Sequence, residues 1–86
     1  MAPSTEDAVS FFIRDLGAEI RSRRERLGIS AYSLGRAGNV TDQTILNIEQ
    51  GRCGNGCQVG TLFRIAERLG TTLPELITAA LLRDHF

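Results

Sequence analysis

The stretch AYSLGRAGNVTDQTILNIEQ, residues 31–50, decides how this chain folds. Leu34, Val40, Ile45 and Ile48 are apolar, Gly35 is small, and Gly38-Asn39 breaks the segment into two short helical runs. Two helices cross closely only where a residue with almost no side chain stands at the meeting of their backbones. The turn between them needs a residue that tolerates φ > 0, which Gly or Asn does at least cost. The pattern therefore reads as a helix-turn-helix unit.

The flanking sequence extends this reading in both directions. Thr5 to Leu27 forms one long helix with Val9, Phe12, Ile13, Leu16, Ile20 and Leu27 on an apolar stripe, Phe11 beside it. Ser4, three residues before Asp7, supplies its N-cap, and Gly28 ends it. Its length suggests that the first turns pack on a second subunit. Ser30 caps a second helix, about 31–37, and Thr41 a third, about 42–50, which Gly51 stops. A fourth, about 59–69, turns Val59, Leu62, Ile65, Ala66 and Leu69 inward and ends at Gly70. The fifth opens with the capping box Thr72-Leu-Pro-Glu75 and runs to about Arg83, with Leu73, Leu76, Ile77, Ala80 and Leu81 as its stripe. No window alternates with period two. The fold class is all-α, a single domain over residues 1–86, with 1–4 as a disordered arm.

Composition sets the limits on function. A chain of 86 residues with 42% hydrophobic content is an ordinary globular domain, with no signal peptide and no apolar run of membrane-spanning length. The expected location is cytoplasmic. Ten basic and ten acidic residues cancel, which argues mildly against a nucleic-acid binder. Distribution offsets this: between Arg21 and Arg52 six arginines face three acids, an excess of three positive charges. Arginine's planar fork suits phosphate, although an all-arginine chain also arises from genome composition.

The third helix carries the chemistry. Ile45 and Ile48 face the core, so Asp42, Gln43, Thr44, Leu46, Asn47 and Gln50 face outward. Gln and Asn can bond adenine N6 and N7, and Thr can touch a thymine methyl. Gln43 and Asn47 lie one helical turn apart, so both can reach base edges from one face. A plain polar helix face is the alternative.

Residues 16–76 also resemble the Cro/phage-repressor type of helix-turn-helix domain, the XRE-like family. The resemblance rests on Leu16-Gly-Ala-Glu-Ile20, Arg24, Leu27-Gly-Ile-Ser30, Leu34, Val40-Thr41, Thr44-Ile45, Ile48-Glu49-Gln-Gly51 and Leu62-Phe-Arg-Ile-Ala66-Glu-Arg-Leu69-Gly70. It implies a compact five-helix, lambda-repressor-like domain that binds double-stranded operator DNA as a homodimer. It further implies base reading by Asp42, Gln43 and Asn47, to which the Thr44 methyl adds a thymine contact, phosphate contacts from Gln50 and Arg52, and a structural ion pair between Arg24 and Glu49. Free N–H groups at the start of helix 2 also favour an anion, and Ser30 and Tyr32 can add hydroxyl donors there. No cofactor or metal is implied. Two departures bear on binding. The first residue of helix 2 is commonly glutamine in the family, supporting the recognition helix and touching phosphate, and here is Ala31. Asp42 stands where Gln or Arg is frequent, and its carboxylate repels phosphate while remaining able to accept from cytosine N4.

Cys53 and Cys57, in Arg52-Cys-Gly-Asn-Gly-Cys-Gln58, read as loop thiols, with a reversible redox pair as the alternative. The fourth zinc ligand is missing, and the one histidine, His85, lies at the end of the sequence. The functional expectation is a DNA-binding transcriptional regulator, more readily a repressor because so small a chain leaves little room for an activating surface. An antitoxin of the same fold, with a toxin as partner, is the near alternative. A protein-interaction module that has lost DNA binding is the distant one. No nucleophile–base spacing or phosphate loop suggests an enzyme.

Overall fold

Hydroxyl side chains start the helices of this chain, and residues in left-handed conformations end several of them. The computed structural model describes residues 4–52 and 58–83, and among these it contains five α-helices and no strand. They are α1 (Thr5–Leu27), α2 (Ala31–Gly38), α3 (Asp42–Glu49), α4 (Val59–Arg68) and α5 (Leu73–Leu81). Ser4, Ser30, Thr41 and Thr72 each accept a hydrogen bond from the main-chain N–H three residues on, satisfying a donor that the helix itself leaves free. Ser4 is thus part of the α1 cap rather than of a disordered arm. Gln58 makes no such bond, so α4 starts without a side-chain cap.

The core forms where α1 packs on α3 and α5, α2 on α3 and α4, and α4 on α5. Ile20, Leu34, Ile45, Ile65 and Leu76 are fully buried, one from each helix. Several positions placed inward by periodicity lie outside this core. Val59 is 71% exposed and Leu81 67% exposed, and Val9 and Leu27 are also on the surface. Each lies in a terminal turn or near the end of its helix. An unbroken apolar stripe therefore overstates how much of it is covered. α5 ends at Leu81, where its apolar stripe ends, two residues before the Arg83 expected from the sequence.

Two close crossings fix the helix-turn-helix unit. A Cβ at Gly35 would lie 2.8 Å from the Val40 carbonyl oxygen and 3.0 Å from that of Thr41. A Cβ at Gly17 would overlap the Ile48 carbonyl oxygen. Glycine at 35 brings α2 against the start of α3, and glycine at 17 brings α1 against its end. α3 is thereby held at both ends by backbone contact. The turn between α2 and α3 takes its left-handed conformation at Asn39, with φ 61°, while Gly38 closes α2. Val40 N–H then donates to the Gly35 carbonyl at 2.8 Å, closing the turn.

Candidate nucleic-acid interface

The orientation of α3 is set by a charge pair at its buried end. Arg24, near the end of α1, donates from Nε to Glu49 Oε2 at 2.6 Å and from Nη2 to Oε1 at 3.0 Å. Its Nη1 donates to the Ile29 carbonyl at 3.0 Å. The two side chains are 14% and 2% exposed, so the pair is shielded from water. Hydrogen bonding to Glu49 raises the Arg24 pKa, against an opposing effect of burial. One guanidinium thus joins α1, the α1–α2 connection and the last residue of α3.

Turned outward from this anchor is the polar face of α3. Asp42, Gln43 and Gln50 are exposed, and Thr44 and Asn47 are half-buried. Their polar groups are not equally available. Asp42 Oδ1 accepts from the Gln43 main-chain N–H at 2.9 Å, folding the carboxylate over the helix N-terminus, where a negative charge is favoured. The Thr44 hydroxyl lies 3.0 Å from that of Thr41, which leaves its methyl as the free feature. Gln43 Nε2 donates to Asn47 Oδ1 at 3.1 Å, so these two amides form one unit.

The charges around α3 explain how a neutral chain presents a basic surface. Arg21, Arg23 and Arg24 are held by Glu25, Glu19 and Glu49, and Glu19 also binds Arg83. Among the described residues Arg14, Arg26, Arg36, Arg52, Arg64 and Arg68 form no salt bridge with a carboxylate and are exposed. Three of them, Arg14, Arg36 and Arg52, flank α3. Arg36 lines a shallow cleft with Asn39, Val40 and Thr41, at the helix start. Arg14 lines another with Ser10, Ile13, Gln50 and Gly51, at its end, and Arg52 follows directly. A helix in the major groove runs between two phosphate strands, and cations at both of its ends match that arrangement.

Arg14 is the residue that reading the sequence missed. It lies on α1, outside the helix-turn-helix, with its guanidinium 5.7 Å from the centre of the Phe11 ring. A Cβ on Gly51 would come within 3.3 Å of its Cα. Gly17 is the signal that could have found it, because residues three apart share a helix face and Gly17 is where α1 meets α3. Of the other phosphate candidates, Ser30 and the 62% exposed Tyr32 stand at the start of α2. Ser30 Oγ takes the Ser33 N–H and its carbonyl the Leu34 N–H, which leaves the N–H groups of Ala31 and Tyr32 pointing out of the helix end. Gln50 shares the cleft with Arg14. Cys53 and Cys57, the candidate redox pair, lie outside the described residues.

A small two-helix unit with an outward polar helix, flanked by arginines that hold no carboxylate, defines a helix-turn-helix DNA-binding domain. The chain belongs to the helix-turn-helix family of Cro/C1 (XRE-like) type, whose model matches residues 20–76. Solved structures share the fold. One is the clp gene regulator ClgR from Corynebacterium glutamicum, with TM-score 0.75 and 24% identity over 81% of this chain and 72% of that one. Another structure of ClgR gives TM-score 0.73 at 24% identity, over 81% of this chain and 87% of that one. The FeII HppE structure in complex with substrate also matches, with TM-score 0.65 and 25% identity over 74% of this chain. The match spans 36% of the HppE chain and so concerns only part of that protein. No curated protein matches this sequence. Among the described residues no helix is long and apolar enough to cross a membrane.

Proposed function

We propose that the protein is a sequence-specific transcriptional regulator that places α3 in the major groove of operator DNA. The observation that carries this reading is the outward Gln43–Asn47 amide face flanked by Arg36, Arg14 and Arg52, none of which is paired with a carboxylate. Amides offer both donors and acceptors to base edges, and the arginines supply sequence-independent attraction to phosphate. The resemblance to ClgR, a gene regulator by name, supports the same reading.

In this reading the protein acts as a homodimer and a repressor, by occupying DNA and not by catalysis. Exposed Val9 and Phe11 on α1, and Leu81 and Leu82 at the end of α5, supply apolar surface for a second copy. Selection of bound sites from random duplex DNA tests the proposal. Enrichment of a palindrome is expected, with an affinity that falls steeply as salt rises. No enriched sequence, or binding indifferent to salt, would overturn it in favour of a protein-interaction module.

A further inference from the structure

By sequence, Gln43 and Asn47 each have the chemistry to read a base, but hydrogen bonding in the folded chain divides the work differently. The Gln43 amide nitrogen carries two hydrogens, and the 3.1 Å bond to Asn47 Oδ1 uses one. Among the described residues no other group binds this amide, so its second hydrogen and Oε1 remain. Together they form the adjacent donor and acceptor that match adenine N7 and N6. Asn47 Oδ1, the acceptor that an adenine contact of its own would need, already has one of its two lone pairs directed at Gln43, so such a contact would have to share that oxygen. Neighbouring groups offer Gln43 no alternative support. Asp42 Oδ1 binds the Gln43 main chain, and the Thr44 hydroxyl is joined to Thr41.

We propose that Asn47 is a positioning residue, holding the Gln43 amide so that Gln43 alone reads one adenine per half-site. The proposal rests on the DNA-binding reading and deepens it. Glutamine has rotatable side-chain bonds whose freedom is lost when it binds a base. A bond that already restricts them reduces the further loss and favours the base that fits the oriented edge. α3 thereby supplies this support from within itself.

Site selection from random duplex DNA with the whole chain tests this, using wild type, Gln43→Ala, Asn47→Ala and Asn47→Asp. Wild type should fix one A·T pair in each half-site, and Gln43→Ala should lose that preference by roughly 5- to 100-fold. Asn47→Ala should relax the same pair and no other, by about 2- to 10-fold, the weight of one hydrogen bond. Asn47→Asp keeps an acceptor for Gln43, so it should retain the preference while its added charge weakens binding to every duplex. Replacing that adenine by 7-deazaadenine, which lacks N7, should weaken wild type by about 10-fold and leave Gln43→Ala unaffected. Relaxation of a different base pair by Asn47→Ala would give Asn47 its own base and overturn the proposal. So would loss of the preference in Asn47→Asp as complete as in Asn47→Ala. Failure of wild type to enrich any sequence would overturn the DNA-binding reading itself, and this proposal with it.

Discussion

Replacing Glu49 with alanine removes the partner of Arg24 and leaves its guanidinium with the Ile29 carbonyl as its remaining acceptor. Breaking a buried ion pair from one side costs about 3–5 kcal/mol, because the other charge stays desolvated. Arg24 is 14% exposed and can turn partly into water, which places Glu49→Ala near the low end, about 3 kcal/mol. The reverse change, Arg24→Ala, strands a carboxylate that is only 2% exposed and should cost more. A domain of this size has a total stability of about 4–13 kcal/mol, so either loss is a large fraction of it. Thermal melting should show a fall in Tm of about 12–24 °C for Glu49→Ala, and urea titration an earlier midpoint at unchanged slope. The double variant Arg24→Met/Glu49→Leu should recover much of the loss, since it buries no charge. Single variants within about 1 kcal/mol of wild type, with coupling in the double-mutant cycle below about 0.5 kcal/mol, would refute the argument. The pair would then be no more than two solvated charges.

Other positions give independent checks. Gly17→Ala should destabilise by about 3 kcal/mol or more, because its Cβ would press on the Ile48 carbonyl; a chemical denaturation midpoint close to wild type would contradict the close α1–α3 crossing. Asn39→Ala should cost about 1–2 kcal/mol in the same assay and Asn39→Gly almost nothing, since only the left-handed conformation is at issue; equal effects would point to a side-chain role. Arg14→Ala and Arg52→Ala should each weaken binding to all duplexes alike and reduce the slope of log affinity against log salt by about one per half-site. An unchanged slope would remove that residue from the phosphate-facing set.

Periodicity and capping chemistry made the helices legible. Ser4, Ser30, Thr41 and Thr72 act within a few residues of themselves, so their caps could be placed from the sequence to within a residue or two. The Gly35 crossing was legible for the same reason, because both partners lie inside one short motif. Burial at helix ends was not. Val59 and Leu81 continue their stripes by composition, yet both lie exposed in terminal turns. At the candidate interface, the outward side of α3 followed from the inward side of Ile45 and Ile48. The state of each polar group on it did not, because hydrogen bonds such as Thr44 to Thr41 compete with what those groups could offer to DNA.

The sequence by itself determined the local units: five helices, their caps, the break at Asn39 and the identity of the motif. These depend on torsional preference and on patterns repeating within a turn or two of helix. Tertiary structure decided which charges are free and which amides act together. Arg23 looks like an available cation in the sequence but is bound by Glu19, which also holds Arg83 from beyond the end of α5. Arg14, remote in sequence from the motif, is delivered to the end of α3 because glycine at 17 allows the two backbones to touch. Electrostatic and hydrogen-bond partners are set by distance in space, and the packed helices alone fix that distance.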